Sequence, residues 1–230
     1  RMTAYGEVRK AEVAWTPSAE YIDHANVVRL MEHFGAKTID DLRAAATADI
    51  AAFWQAVVED LSIPFSAPYE QVMDASGGIE WTKWFIGGQI NMATVCVDRW
   101  ASDPRTEGQE AVVCERESGQ IERLTYGELA REVDALALGL RSLGIERGDY
   151  VGVFMPMTPR AVTASYAVAK LGAVYLPICS GFAAHAVAAR LNDAGAKLLI
   201  TADGSARRGK DAPIKPVADE VASQVPTLEH

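Results

Sequence analysis

The sequence predicts an α/β fold in which a helical N-terminal extension precedes a mostly parallel sheet. Two observations carry this prediction. In the first part of the chain, to about residue 61, apolar residues recur at three- and four-residue spacing, the period of an amphipathic helix. From about residue 110, short apolar runs alternate with helical patterns, and strands that alternate with helices favour a parallel sheet.

Composition and charge exclude several classes of protein. The 230 residues include 22 Lys and Arg against 31 Asp and Glu, a net charge of -9, whereas a nucleic-acid-binding surface needs clustered cations. The three cysteines contain no C-x-x-C pair, which excludes a disulfide scaffold and an evident zinc site and fits a reducing, cytoplasmic location. The longest uncharged stretch, 171–189, is interrupted by Pro177 and His185, so no membrane partner is expected.

Helices are predicted in the first part of the chain by two apolar stripes, and the segment that follows them has a different texture. The first stripe ends at Gly35, a plausible helix stop. Residues 63–91 are rich in Pro and Gly and are interpreted as an irregular segment anchored by Trp81, Trp84 and Phe85. The two stripes consist of Val27, Leu30, Met31 and Phe34, and of Ile50, Phe53, Trp54, Val57, Val58 and Leu61.

Strands and helices then alternate to the end of the chain. Short strands are predicted at 111–114 and 121–124, around a Ser118-Gly119 turn. Thr125 and Glu128 form a capping box that begins a helix, whose apolar stripe closes at Gly144. That stripe is Leu129, Val133, Leu136, Leu140 and Leu143. Further strands are predicted at 150–155, 173–178 and 198–202, with helices after Thr158-Pro159 and at 183–192.

A short segment after the last of these strands has the composition of a phosphate-binding loop. Residues 204–210 match the first seven positions of the P-loop pattern G-x-x-x-x-G-K. The eighth position is Asp211 instead of Ser or Thr, and Pro216 would fall inside the helix that a P-loop requires. A P-loop phosphotransferase is therefore only the third of three hypotheses. Three cations, Arg207, Arg208 and Lys210, favour phosphate binding at the carboxyl end of a strand; a solvated basic loop is the alternative.

An ordered series of motifs resembles the AMP-forming acyl-CoA synthetases, particularly the acetyl-CoA synthetase-like branch. The resemblance covers nearly the whole chain from about Tyr21. Its segments are W-F-I-G-G-Q-I-N at 84–91, V-D-R at 97–99, L-T-Y-G-E-L at 124–129, L-G-I-E-R-G-D at 143–149, M-P at 155–156, L-G-A-V at 171–174, S-G-F at 180–182 and T-A-D-G-S-A-R-R-G-K at 201–210.

The resemblance implies an enzyme that activates a carboxylic acid with ATP and Mg²⁺ and then transfers the acyl group to CoA. It implies an N-terminal extension at 1–92 and the first part of a large adenylating domain at 93–230. The adenylation motifs of the family are absent from this sequence, so the chain alone is expected to be inactive and to hold no catalytic residue. The remaining two-thirds of the same polypeptide would be its partner. A standalone, non-catalytic nucleotide- or CoA-binding module is the rival hypothesis.

The resemblance also places one subsite on this chain, the surface that contacts the nucleotide end of CoA. Gly181 and Arg207 match the family positions, and Lys210 stands where the pattern allows Lys or Arg. Ser180 replaces the first glycine of the family's G-G-F. The expected CoA-binding set is Ser180, Gly181, Arg207, Arg208, Gly209 and Lys210. Arg160 departs from the Glu that is usual in the family, and the acid substrate stays open among acetate, propionate, acetoacetate and longer acids.

Overall fold

The computed structural model describes residues 13–207 and 209–230 and confirms the α/β class, with helices first and a parallel sheet after them. The chain divides into two compact units. The first consists of the residues up to Ile63 together with Tyr69–Gly87, and the second of Pro64–Pro68 with Gly88–His230. Among the described residues, no helix combines the length and the apolar character that a bilayer crossing requires.

Helices dominate the first unit, and both predicted helices are present. They are α1 (Ala19–Asp23), α2 (Asn26–His33), α3 (Ile39–Ala48) and α4 (Ile50–Asp60). Gly35 follows α2 with a φ of +62°, the left-handed conformation expected at a helix stop. The Arg29 guanidinium makes two hydrogen bonds to the Asp60 carboxylate, at 2.6 and 2.9 Å, which tie α2 to the end of α4.

The segment predicted to be irregular contains a small antiparallel sheet, so that prediction is wrong at 71–74 and 83–86. Strands β1 (Gln71–Asp74) and β2 (Lys83–Ile86) pair with Met73 opposite Trp84, and a 3₁₀ turn at Ile79–Trp81 connects them. Strands of four residues show too little alternation of apolar and polar side chains to be recognised in a segment rich in Pro and Gly. The Trp84 ring lies 6.2 Å from the Trp54 ring, as expected of an anchor, whereas Trp81 is 73% exposed and is not a buried anchor.

The second unit carries the alternating strands and helices. A π-helical segment (Thr94–Asp98) continues into the single turn α5 (Arg99–Ala101). Next come β3 (Glu110–Glu115), β4 (Ile121–Thr125), α6 (Tyr126–Ser142), β5 (Tyr150–Met155), α7 (Pro159–Lys170), β6 (Val174–Cys179), α8 (Ala184–Ala194), β7 (Leu198–Thr201), β8 (Gly204–Arg207), β9 (Lys210–Pro213) and α9 (Lys215–Ala222). Every strand and helix predicted between 110 and 202 is present within a few residues of its expected bounds.

The parallel sheet has the order β6-β5-β7, with β5 in the centre. Val151 of β5 belongs to one apolar cluster with α6 and α7, and Phe154 belongs to a second cluster with α8 and α9. Residues three apart on a strand point to opposite faces, so helices cover both faces of the sheet. Gly152 allows close packing on β5, because a Cβ there would lie 2.6 Å from the Leu191 side chain.

Local sequence signals fix the helix termini of this unit. The predicted capping box of α6 is confirmed: the Thr125 N–H donates to Glu128 at 2.9 Å, and the Glu128 N–H donates to the Thr125 hydroxyl at 3.2 Å. At the other end Gly144 has a φ of +82°. Leu129, Val133 and Leu140 of the predicted stripe are buried, whereas Leu143 is 43% exposed.

Two motif residues hold the C-terminal end of α7. The Asn91 side-chain amide donates to the carbonyl oxygens of Ala169 and Lys170, at 3.0 and 3.3 Å. The Lys170 ammonium lies 2.9 Å from Asp98 and also contacts Asp134 of α6. Partial burial works to lower the pKa of Lys170, but the hydrogen bonds and charges of Asp134 and Asp98 outweigh it and raise that pKa. These residues therefore stabilise the fold.

Candidate nucleotide-binding cleft

A cleft of about 900 Å³ lies in the second unit at the carboxyl ends of the parallel strands. Three of its walls follow directly from those strands: Pro156–Thr158 after β5, Ser180 after β6 and Asp203 after β7. Parallel strands end at one edge of a sheet, where open α/β folds bind their ligands. The remaining lining comes from Cys114, Glu115, Arg116, Glu117, Gly204, Ser205, Ala206, Asp211, Ala212 and Pro213.

The segment predicted as a phosphate loop is a β-hairpin, which excludes a P-loop. Strands β8 and β9 pair in antiparallel fashion, with Arg207 and Lys210 as the last partners before the turn. A P-loop needs a helix that starts at its Lys, but Lys210 begins a strand and α9 starts only at Lys215. Pro216 lies at the beginning of α9, where a missing N–H costs little.

Two glycines shape this hairpin. A Cβ on Gly204 would lie 2.8 Å from the carbonyl oxygen of Ala212, so only glycine allows β8 to approach β9 this closely. Gly209 has a φ of +71°, which suits a tight hairpin turn. The sequence marked both positions as phosphate-loop glycines, and the structure gives both a role in the backbone of the hairpin.

The described residues expected to bind CoA lie in the loop after β6 and in the β8–β9 hairpin, and of these the cleft lining includes Ser180 but not Gly181, Arg207, Gly209 or Lys210. Ser180 lines the cleft and Gly181 is exposed beside it. Gly209 and Lys210 are exposed at the end of the hairpin, and the backbone of Arg207 pairs with that of Lys210. Arg208 lies outside the described residues. The hairpin and the Ser180 loop therefore border one cleft, although they lie on different segments of the chain.

The cleft walls also carry acidic residues that are not among the site residues predicted from the sequence. Glu115, Glu117, Asp203 and Asp211 all line the cleft. The Glu117 carboxylate accepts a hydrogen bond from the Gly209 N–H at 3.1 Å, across a separation of 92 residues. No local sequence signal connects two turns so far apart, because their proximity depends on how the sheet is assembled.

The loop after β6 is held by an aromatic side chain. The Phe182 N–H donates to the carbonyl oxygen of Cys179 at 3.0 Å, which closes a turn around Ser180 and Gly181. The Arg190 guanidinium lies 4.4 Å from the centre of the Phe182 ring, a cation–π distance. Arg190 itself donates to the carbonyl oxygen of Ala186 at 2.6 Å, so α8 supports the loop from one side.

Arg160, the departure from the family pattern, takes part in an ion pair outside the cleft lining. It contacts Glu132 of α6, and a hydrogen bond from Thr163 to Glu132 at 3.0 Å completes the group. The hydrogen bond to Glu132 raises the pKa of Arg160. The positive charge of Arg160, at the position where Glu is usual, thus forms an ion pair between α7 and α6.

Comparison with known proteins gives two family matches that follow each other along the chain. The model described as the acetyl-coenzyme A synthetase N-terminus matches residues 39–96, and the model described as AMP-binding enzyme matches residues 98–230. The second match alone covers more than half of the chain. The boundary predicted between residues 92 and 93 stays a prediction, since neither match defines a domain border.

Curated relatives and a solved structure agree with these matches. Acetyl-coenzyme A synthetases from Gemmatimonas aurantiaca and Mycolicibacterium smegmatis are 39% and 37% identical over 82% and 100% of this chain. An acetoacetyl-CoA synthetase from Streptomyces lividans has a TM-score of 0.84 at 29% identity over 94% of the chain. This chain spans only 28%, 23% and 34% of the length of those three proteins.

Proposed function

Because this chain belongs to the AMP-binding enzyme family, we propose that it is the N-terminal part of an AMP-forming acyl-CoA synthetase. The observation that carries the proposal is the order of the two family matches, with the synthetase N-terminus followed directly by the start of the AMP-binding domain. The structural similarity over 94% of the chain supports the same order. The cysteine usage fits a cytoplasmic enzyme.

The proposed reaction overcomes the poor electrophilicity of a carboxylate. ATP, with Mg²⁺ to neutralise its phosphates, converts the acid to an acyl-adenylate and releases pyrophosphate. The thiol of CoA then attacks the acyl carbon, a thioester forms and AMP leaves. Both steps would be carried out by the remainder of the polypeptide, and this chain alone is expected to be inactive.

The role that we assign to this chain is to hold the nucleotide end of CoA. The two supporting features are the cleft at the carboxyl edge of the sheet and the hairpin that carries Arg207, Arg208 and Lys210. Cations at a hairpin tip suit the phosphates of CoA, and Ser180 and Gly181 offer a small-residue surface on the opposite loop. The assigned set is Ser180, Gly181, Arg207, Arg208, Gly209 and Lys210.

Carboxylate-dependent ATP–pyrophosphate exchange tests the proposed activity. We expect exchange from the longer polypeptide that contains this sequence, with one acid preferred in a panel of acetate, propionate, acetoacetate and longer acids. This chain alone should give none. If the longer polypeptide exchanges with no acid of the panel, the synthetase proposal is wrong and a non-catalytic binding module becomes the better hypothesis.

Reversal of one hairpin charge tests the CoA assignment separately. In the longer polypeptide, Arg207→Glu should raise the apparent KM for CoA about tenfold or more, the size expected when one charge-assisted hydrogen bond is lost. Pyrophosphate exchange should stay nearly unchanged, because CoA takes no part in that half-reaction. Arg141→Glu, which reverses an exposed charge in the last turn of α6, is the matched control. Equal losses in both half-reactions would contradict the assignment.

A further inference from the structure

The contact between Glu117 and Gly209 joins a turn that lines the cleft to the turn at the tip of the hairpin. Glu117 lies in the turn between β3 and β4, and Gly209 lies in the turn between β8 and β9. The Glu117 Oε2 atom accepts the Gly209 N–H at 3.1 Å. A side chain from one wall therefore reaches the tip of the hairpin on which the phosphates of CoA are proposed to bind.

The Gly209 N–H is a donor well placed for a phosphate oxygen. Gly209 is exposed, with a φ of +71°, and apart from Gly209 and its two chain neighbours no described atom lies within 4 Å of the position that a Cβ would take. Exposed N–H groups in glycine-containing turns bind anions in many proteins. A carboxylate oxygen and a phosphate oxygen are both anionic acceptors, and one N–H makes one strong hydrogen bond. Glu117 thus occupies a donor that a phosphate would use.

Charge adds to this competition. A phosphate at the hairpin tip would bring a second anion close to the Glu117 carboxylate, and like charges at such distances repel. The turn that carries Glu117 keeps its shape through backbone hydrogen bonds, from Gly119 to Arg116 at 2.8 Å and from Arg116 to Gln120 at 2.9 Å. Neither bond uses the Glu117 carboxylate, so the backbone of the turn does not depend on that side chain.

We propose that Glu117 is a built-in competitor of the ligand phosphate: its carboxylate must leave the Gly209 N–H before the nucleotide end of CoA binds to the hairpin. The inference rests on the proposed function, since it takes a CoA phosphate as the ligand of this turn. The consequence is a lower affinity for the phosphate group. Glu117 sets this affinity without contacting the bound ligand, because its carboxylate must be displaced before the ligand binds.

Calorimetric titration of this chain with adenosine 3′,5′-bisphosphate, a mimic of the nucleotide end of CoA, tests the competition. Glu117→Ala should bind the probe about tenfold more tightly than the unchanged chain, because the charge-assisted hydrogen bond to the Gly209 N–H no longer has to break. Glu117→Gln, which keeps the shape but removes the charge, should show a smaller gain. Glu115→Gln removes a charge from the same wall without this contact and should change the affinity about twofold at most.

The amide signal of Gly209 in a ¹⁵N–¹H spectrum gives a second, direct measurement. In the unchanged chain that signal should shift when Glu117 is replaced by Gln. It should shift again when the probe is added. A Gly209 signal that does not respond to the probe, while binding is seen by calorimetry, would show that the phosphate does not displace Glu117.

The outcomes separate this inference from the proposed function. If the unchanged chain binds the probe but Glu117→Gln and Glu117→Ala bind it equally or more weakly, Glu117 supports the hairpin and the competitor role is wrong. If Glu115→Gln raises the affinity for the probe as much as Glu117→Gln does, the effect comes from the general charge of the wall, and the competitor role of Glu117 is also wrong. If neither the chain nor any variant binds the probe more tightly than adenosine, the phosphate site itself fails, and this inference fails with it.

Discussion

The two units of the molecule bury their apolar side chains to very different degrees. In the second unit, α6 and α8 each bury four residues, and a parallel sheet lies between two apolar clusters. In the first unit, the described helices bury only Leu42 and Ala56, while Trp54 and Trp84 stay more than 40% exposed. The sheet unit is stabilised mainly by burial, and the helical unit depends more on local hydrogen bonds and ion pairs.

Both units use the same devices to begin their helices. Thr38 and Asp41 form a capping box at α3, and Thr125 and Glu128 form one at α6. The local signals in the sequence are thus equally strong in the two units. What differs is the amount of apolar surface that each helix can bury, and that difference should appear in the response to substitution.

The largest effect is expected from a cavity in the sheet unit. Leu191→Ala removes a fully buried side chain next to β5, so the free energy of unfolding should fall by about 3 kcal/mol. Ile50→Ala, at a position 39% exposed in α4, should cost less than about 1 kcal/mol. Urea unfolding followed by circular dichroism measures both. Four of the five tryptophans, Trp15, Trp54, Trp81 and Trp84, belong to the first unit, so fluorescence follows that unit. Equal losses for the two variants would contradict the comparison.

A smaller effect, similar in both units, is expected from the capping boxes. Thr125→Ala and Thr38→Ala each remove a hydroxyl that accepts the N–H of the third helical residue, and each should lower the free energy of unfolding by about 1 kcal/mol. Replacement by Ser keeps the acceptor and is the matched control. A loss several times larger for Thr125 would show that its cap also supports the pairing of β4 with β3.

The smallest effect is a dependence on pH. The hydrogen bond from Lys197, and then the Glu146 N–H, hold the pKa of Asp149 below its ordinary value of 3.8. A carboxyl group whose pKa is lower in the folded state stabilises the fold above its ordinary pKa and loses that contribution as the pH falls through the lowered value. Asp149→Asn should therefore destabilise at pH 7 and approach the unchanged chain as the pH falls below 3.8 and through the lowered pKa. In the first unit, Thr38 lowers the pKa of Asp41 in the same sense. Urea unfolding midpoints of the unchanged chain, Asp149→Asn and Asp41→Asn, measured at neutral and at acid pH, test this pH dependence. A loss of stability that is the same at every pH would contradict it.

Most of the fold could be predicted because its signals are local. The predicted helices, the capping box at Thr125 and Glu128 and the helix stops at Gly35 and Gly144 each depend on neighbouring residues, and they are confirmed, although Leu143 of the predicted stripe is exposed. The sheet of β1 and β2 was missed because its strands are four residues long and Phe85 within it has a φ of +48°. Such a strand depends on its partner and on ring contacts, such as that between Phe85 and Tyr69 at 5.2 Å.

The candidate site could be predicted only in part, because it is assembled from distant segments. Composition located three cations at 207–210, and their place after a predicted strand indicated the edge of the sheet at which the hairpin lies. The antiparallel pairing of Arg207 with Lys210 was not visible, since a G-K dipeptide serves a P-loop and a hairpin equally well. The contact of Glu117 with Gly209 joins residues whose proximity follows from tertiary structure alone.

The central position of β5 has a consequence for how the chain folds as it leaves the ribosome. β5 is the first strand of the parallel sheet to be synthesised, and Val151 pairs later with Tyr175 of β6 and then with Leu198 of β7. We therefore expect the sheet to grow outward from a strand that is already made, first on one side and then on the other. Each addition brings its own helix, α7 before β6 and α8 before β7, so the exposed faces of β5 are covered in the order of synthesis.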